Sequence, residues 1–528
     1  MFDYIIVGGG SAGCALAGRL SEDPANQVCL LEAGGADNSV LIKAPLGFAA
    51  LAQLGMNNWG FETVPQPGFN GRRGFQPRGK VLGGSSSINA MVYTRGNRKD
   101  YDRWADQGNP GWRYEDLLPL FKRSENNECF GETQYRGVGG PLNVAFLRSP
   151  SDINEAFTRA CEQVGIPRNA DYNGEKQFGV SPAQVTQKNG ERWNAARAYL
   201  HANTDRPNLT VITNARTRRL IFTGKTATGV EFVKNNQTQI IKAHKEIVLS
   251  AGAFGSPQIL MLSGVGPAAH LIQHGIAVVH DLPGVGQNLQ DHLTTVLINR
   301  SSRKDATLGL SLGGGLALIK SMFEWRKRRT GWLTSNVSET QAFISTEDNP
   351  EHPDIQLALC TGIVDDHTRK VHLGHGYSLH VTLMRPKSRG SLTLKSPTYT
   401  DAPQIDPAFL NDPADLQTMM RGTLIGYDIF QADAFSPYRG KMLYPLERNN
   451  PAQVESFLRA HSDTEYHPVG TCKMGPLSDA MAVVDATLKV HGLKNLRVVD
   501  ASIMPDLITG NTNAATIMIA EKGALLML

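Results

Sequence analysis

Cysteine is scarce. Cys14, Cys29, Cys129, Cys161, Cys360 and Cys472 are the six in 528 residues, and no two form a C-x-x-C pair. That spacing excludes a disulfide framework and a ribbon-type structural zinc site. Net charge is also small, at +4 from 53 Lys plus Arg against 49 Asp plus Glu. Nothing here makes a polyanion-binding surface, so no nucleic-acid partner is expected. No apolar run approaches the roughly 20 residues that span a bilayer, and there is neither an internal repeat nor a low-complexity tract. What remains is a long chain with room for a large pocket, beyond the size of one ordinary core. Two domains, or one interrupted by another, follow.

The chain opens MFDYIIVGGG, so an apparent strand starts within two residues of the first Met and leaves no room for a signal peptide. A cytoplasmic location is the expectation. The 53 glycines cluster in short motifs, a pattern of backbone packed close to a ligand. The clearest is the first: strand DYIIV, turn GGGSAG, small-residue helix SAGCALAGRL and second strand QVCLLE, a β-α-β unit. Gly8, Gly10 and Gly13 give the G-x-G-x-x-G spacing, and Glu32 ends the second strand 19 residues after Gly13, where a carboxylate can hold ribose hydroxyls. A glycine-rich turn without a ligand is the alternative. The acid disfavours a 2′-phosphate, so FAD or NAD is expected over NADP.

From Lys245, KEIVLSAGAFGSPQILMLSGVG reads as strand, turn and helix, and KNLRVVDASIMP as a buried strand ending at Asp500. Ligands of open α/β sheets lie beyond such strand ends, which aims Asp500 at the cofactor; a helix or turn cap is its other reading. Residues 306–462 differ, with alternating runs such as YSLHVTLMRP and many turn residues. The expected fold is α/β (α+β overall): a Rossmann-like FAD- or NAD-binding domain of residues 1–155, 198–305 and 463–528, interrupted by a sheet-rich substrate-binding domain of residues 156–197 and 306–462. Within the insertion, residues 308–332 run from an apolar stretch into Arg326, Lys327, Arg328 and Arg329. Such a segment can lie on an anionic membrane surface, or it can be a buried helix with a solvated charged end.

Two stretches carry candidate chemistry. GKVLGGSSSINAMVYTRG from Gly79 combines glycines, serines and Asn89 so that backbone and hydroxyls can wrap a polar planar ligand; a plain turn with a helix cap is the alternative. YHPVGTCKMG from Tyr466 places His467 near Cys472. Zinc would need more ligands than Cys472 supplies, leaving a proton-transfer group or a packed loop residue.

The motifs together resemble the glucose-methanol-choline family of FAD-dependent oxidoreductases, over Asp3 to Lys522. GKVLGGSSSIN matches its first signature, GAFGSPQILMLSGVG its second, and YHPVGTCKMG with GNTNAATIMIAEK from Gly510 its C-terminal catalytic segment. Within the family the chain is most similar to bacterial aliphatic alcohol dehydrogenases, then to choline dehydrogenases. The resemblance implies that Gly8, Gly10, Ser11 and Gly13 line the pyrophosphate, Glu32 the adenosine ribose, and Thr217 the adenine. It places Gly83, Ser85 and Asn89 near the flavin, and Asp500, Ala501, Thr512 and Asn513 near the ribityl chain or ring. The loop GVGQNLQDH, residues 284–292, packs over the cofactor. Relatives that attach flavin covalently do so through a His where this chain has Ile88, so noncovalent FAD is expected.

The resemblance also pairs His467 with Asn511 facing the flavin. His467 is the expected base for the hydroxyl proton, and Asn511 the donor that holds the substrate oxygen while hydride passes to flavin N5; a simple turn is the other reading of TGNTN. The partners expected are a primary alcohol and an electron acceptor, quinone or oxygen, with peripheral contact to the inner face of the cytoplasmic membrane through 308–332. An oxygen-using alcohol oxidase, a choline dehydrogenase and a nonredox hydroxynitrile lyase holding FAD stay open as alternatives, as does a flavin protein without activity.

Overall fold

The structure is a computed structural model that describes residues 1–347 and 349–528. Phe2–Val7 forms the middle of a parallel sheet, flanked by Val28–Leu31 and then Leu209–Ile212 on one side and by the end of Gln237–Leu249 and then Leu496–Val498 on the other. Ile5, Ile6, Leu30 and Val248 are wholly buried, as a parallel strand covered on both faces requires. The long Gln237–Leu249 strand continues into an antiparallel meander with Thr226–Lys234 and Arg216–Thr223.

Glycine sets the first turn. A Cβ at Gly13 would lie 1.9 Å from the Gly8 carbonyl oxygen, and Gly8 itself has φ +105°. The helix Ser11–Leu20 therefore packs tightly on its strand, and the C-terminal helix Asn513–Leu525 lies against it, joined by Arg19 and Glu521 at 2.9 Å.

The second sheet is antiparallel, in the order Asp463–Thr464, Leu293–Arg300, Gly374–Leu383, Ile355–Cys360, Ser338–Ile344, Gly179–Pro182. Its side chains alternate with period two. Leu357, Leu359, Leu379 and Val381 point into a core with Met419 and Phe430 of the helix Pro413–Gln431. Gln341, Gln356, Ala358, Cys360 and His380 point the other way, into a cavity. The β-sheet-rich insertion thus offers the cofactor side a polar ceiling.

Two boundaries differ from expectation. Leu293–Arg300, expected with the FAD-binding segments up to 305, pairs with Gly374–Leu383 and belongs to the second sheet. Leu392 and Ile405, expected in the substrate-binding segment, are packed into the core of the first domain. Both reassignments come from pairing between residues far apart in sequence, which local pattern does not report.

Residues 308–332 also resolve. Leu312–Arg328 is a helix in which only Ser321 and Trp325 are buried. Leu312 is 93% exposed, Leu316 70% and Phe323 65%, so the buried-helix reading does not hold.

Candidate active site

A single cavity of about 1020 Å³ runs from the glycine turn to the face of the second sheet. Of the residues expected at the cofactor, Gly8, Gly10, Ser11, Glu32, Ser85, Asn89, Thr217, Asp500, Ala501, Thr512 and Asn513 line it. Gly13 and Gly83 do not. Gly13 serves helix packing, and Gly83, at φ +87°, has room only for hydrogen beside Ser87 Oγ.

The walls suit a dinucleotide. A Cβ at Gly10 would meet nothing closer than the Gly84 Cα at 4.0 Å, so this backbone lies open to a ligand. The helix starting at Ser11 has no side-chain cap, and neither does the one starting at Asn513. Their free first-turn N–H groups and positive dipole ends open on the cavity, the arrangement that receives phosphate and other anionic groups. Ser11 Oγ donates to Asn513 Oδ1 at 2.7 Å and ties the two starts together. Glu32 is buried, and burial pushes its carboxyl up to about 7. Its oxygens accept from the Gly9 and Gly34 amides at 2.8 and 2.7 Å, leaving each oxygen a further lone pair toward the cavity. Asp500 acts as a cap, accepting from Gly252 N, Ser256 Oγ and Ser502 N at 2.9, 2.5 and 2.8 Å.

At the other end stand His467 and Asn511. The backbone around His467 is held from two sides: its N–H donates to Asp291 Oδ1 at 2.8 Å, and the half-buried Arg78 guanidinium donates to the Tyr466 carbonyl, with Tyr466 at φ +71°. Asp291 also accepts from Thr464 Oγ1 and Gln76 Nε2 at 2.5 and 2.9 Å, and burial raises its carboxyl to about 6.

The proton positions follow from the partners. His292 Nε2 lies 3.1 Å from both the Met384 and the Ile508 carbonyl oxygens. Carbonyls only accept, so Nε2 carries the hydrogen. Burial holds His292 down to about 4, so at neutral pH its Nδ1 is bare and accepts from His467 Nδ1, 2.9 Å away. His467 Nε2 is then the free basic nitrogen, and Asn511 Nδ2 donates to it at 3.1 Å. Burial, the adjacent His292 and the Arg78 charge keep His467 well below the ordinary imidazole value. Asn511 Oδ1 accepts from Gln356 Nε2 at 3.3 Å, and Gln356 is held by Gln341 at 2.8 Å, so the amide presents its N–H to His467.

The zinc reading of His467 gains no support. Among the described residues the single cluster with metal-ligand spacing is Asp366, His367 and Asp463; His367 there is already bonded to Asp463 at 2.9 Å. His292, Asp291, Arg78 and Gln356 were missed as site residues. His292 does close the quoted GVGQNLQDH loop, but nothing local says that it reaches His467.

A nucleotide-type βαβ turn, two uncapped helix starts and a histidine with one bare nitrogen in the same cavity define a dinucleotide-dependent oxidoreductase. GMC oxidoreductase models match residues 2–294 and 386–520, and the chain belongs to that family, as an FAD-dependent oxidoreductase acting on CH–OH donors. It is 46% identical to an alcohol dehydrogenase (acceptor) of Pseudomonas putida, over 99% of this chain and 95% of the relative. It is 44% identical to mitochondrial choline dehydrogenase of Homo sapiens, over 99% and 89%. Among solved structures, pyridoxine 4-oxidase from Mesorbium loti superposes with a TM-score of 0.89 at 35% identity, covering 99% of both chains. A formate oxidase of Aspergillus oryzae, studied for modification of its FAD, gives 0.89 at 27%, covering 100% and 98%.

Proposed function

We propose that this enzyme oxidises a neutral primary alcohol to an aldehyde, with His467 as base, noncovalent FAD as hydride acceptor, and a quinone or similar carrier as the final acceptor. The observation that carries the reading is the convergence of His467 Nε2 and Asn511 Nδ2 on one point of the cavity. An alcohol oxygen entering there accepts from the Asn511 amide and presents its hydrogen to Nε2. His467 takes that proton, and Asn511 stabilises the negative charge that develops on oxygen. The His292 bond keeps Nε2 unprotonated and the ring in place for this transfer. Bound FAD supplies the two-electron acceptor. Gly10, Ser11 and Glu32 would hold its adenosine diphosphate end, and Ser85, Asn89, Ala501 and Thr512 its flavin end. Ile88 lines the cavity where a covalent attachment would need a nucleophilic side chain.

Supporting a neutral alcohol, Glu465, which lines the cavity two residues from His467, is paired with His380 at 3.2 Å, so that carboxylate is not free to meet a quaternary ammonium. Supporting a membrane acceptor, the helix Leu312–Arg328 lines the cavity through Gly313, Gly314, Ala317 and Met322, while its exposed Leu312, Leu316 and Phe323 are joined outside by Val371 and Leu373, 60% and 79% exposed. Arg326, Lys327 and Arg328 end the helix. An apolar rim with a basic border fits an anionic lipid surface, here the inner face of the cytoplasmic membrane. Among the described residues no helix is long and apolar enough to cross one.

The test is anaerobic mixing of the purified flavoprotein with short, long, aromatic and quaternary-ammonium alcohols, followed by admission of air. Flavin bleaching by the aliphatic alcohols, with slow recolouring in air and fast recolouring with a soluble quinone, is expected. Fast recolouring with peroxide would make it an oxidase. Absence of bleaching by every alcohol would remove the redox reading and leave cyanohydrin cleavage to be assayed.

A further inference from the structure

The ceiling of the cavity holds a buried polar group that the reaction does not use. His380 is 7% exposed, its Nδ1 lies 3.2 Å from Glu465 Oε2, and its Nε2 has no hydrogen-bond partner. Both residues line the cavity. The ladder fixes where His380 stands. Thr294 faces Thr382 and Val296 faces His380 across adjacent strands, while His292 reaches the Met384 carbonyl at the foot of the same strand. His380 is four residues up that strand from Met384, about 13 Å at the usual rise. Cys360 lies diagonal to it on the same face of the sheet, its sulfur at most a weak acceptor for the ring.

An unpaired donor buried in a protein wall is costly unless something fills it. Glu465 orients the ring and favours its charged form, so Nε2 presents an N–H to the cavity. The same carboxylate repels an anionic ligand, so the complementary group is a neutral oxygen acceptor.

We propose that His380 Nε2 is a second anchor in the substrate chamber, accepting alcohols that carry a neutral oxygen, as an ether, hydroxyl or carbonyl, several carbons from the carbinol held by His467 and Asn511. The proposal rests on the alcohol-oxidation reading above. It makes the substrate class an oxygenated alkanol instead of a plain hydrocarbon alcohol, with Glu465 as the positioning residue and His380 as the specificity-determining one.

The experiment compares n-alkanols with counterparts of equal length in which one methylene at successive positions is replaced by an ether oxygen. Anaerobic flavin reduction gives the limiting rate and the apparent dissociation constant for each. Hydroxyl-free ethers are titrated in parallel by the perturbation they cause in the flavin spectrum. One ether position is expected to bind roughly tenfold tighter than its methylene counterpart, the gain from one hydrogen bond to a charged donor. His380→Gln, which keeps an N–H, retains most of that preference. His380→Leu, alone or combined with Glu465→Gln so that no charge is left unpaired, brings the ratio to about one. A wild-type protein with no preferred ether position, or a preference that survives His380→Leu, overturns the anchor. If no alcohol reduces the flavin while the hydroxyl-free ethers still bind through His380, the redox reading fails and the anchor stands.

Discussion

His467 and His292 face each other through their Nδ1 atoms, 2.9 Å apart, with their rings nearly perpendicular at 86°. Two basic nitrogens can share only one hydrogen at that distance, and the carbonyls of Met384 and Ile508 decide which ring supplies it. The consequence is a base whose reactive nitrogen is set by a residue 175 positions away in sequence.

Replacing His292 separates orientation from charge. His292→Gln can still donate to the two carbonyls and accept from His467, so reduction of flavin by alcohol is expected to stay within about tenfold of wild type. His292→Leu leaves the His467 tautomer unset, and a fall of about a hundredfold is expected, on the scale of outer-shell losses at other histidine sites. Stopped-flow reduction rates check both; equal rates in the two variants would remove the orienting role.

The pH profile has a defined sign. The base works when His467 is unprotonated, and its value is lowered from 6.5, so the acid limb of the reduction rate is expected below pH 6.5. A limb at or above 6.5 in the wild type would assign the base elsewhere.

His467→Ala is expected to give a folded, yellow protein whose reduction by alcohol is slowed by about 10² to 10⁴-fold, the range of a lost general base. Undiminished reduction would take His467 out of the mechanism.

Glu32→Gln should weaken retention of FAD about tenfold, because a neutral amide donates where the ribose hydroxyls need an acceptor. Chemistry in the loaded enzyme should change little. Fluorescence of flavin released on dilution reports the loss, and unchanged retention would refute the ribose role.

Gly84→Ala brings a Cβ to 2.6 Å from the Gly10 Cα at a backbone with φ +54°. The two turns that frame the cofactor must then separate. A loss of bound flavin with a stability decrease of about 1–3 kcal/mol is expected, measured by flavin-to-protein absorbance and by thermal unfolding.

Leu312, Leu316 and Phe323 changed together to Ser should abolish sedimentation with vesicles containing anionic phospholipid while leaving reduction by a water-soluble alcohol intact. Wild-type protein that stays in the supernatant would overturn the membrane reading.

The nucleotide half was legible because its requirements are local. Gly8, Gly10, Gly13 and Glu32 stand within one β-α-β unit, where the turn and the strand end are dictated by neighbours in sequence. The likeness of YHPVGTCKMG to a known segment likewise marked His467. The ceiling was not legible. Gln356, His380 and Leu293–Arg300 acquire their roles by antiparallel pairing across the second sheet, and strand register is a long-range property. The exposed face of Leu312–Arg328 was ambiguous for the same reason: an apolar helix reads alike whether a core or a bilayer covers it.

By itself the sequence determined the dinucleotide turn, a matter of residue type at fixed spacing, while the division into a sheet-centred domain with an insertion was read from local pattern, and the candidate base and its amide partner from the likeness of their segments to a known family. Only the tertiary structure decided which nitrogen of His467 is bare, that Asp291 and Arg78 hold its backbone, and that His380 and Glu465 look into the same cavity. Those facts depend on hydrogen bonds between segments 85 to 388 residues apart, and such bonds exist only after both sheets have formed and closed on each other.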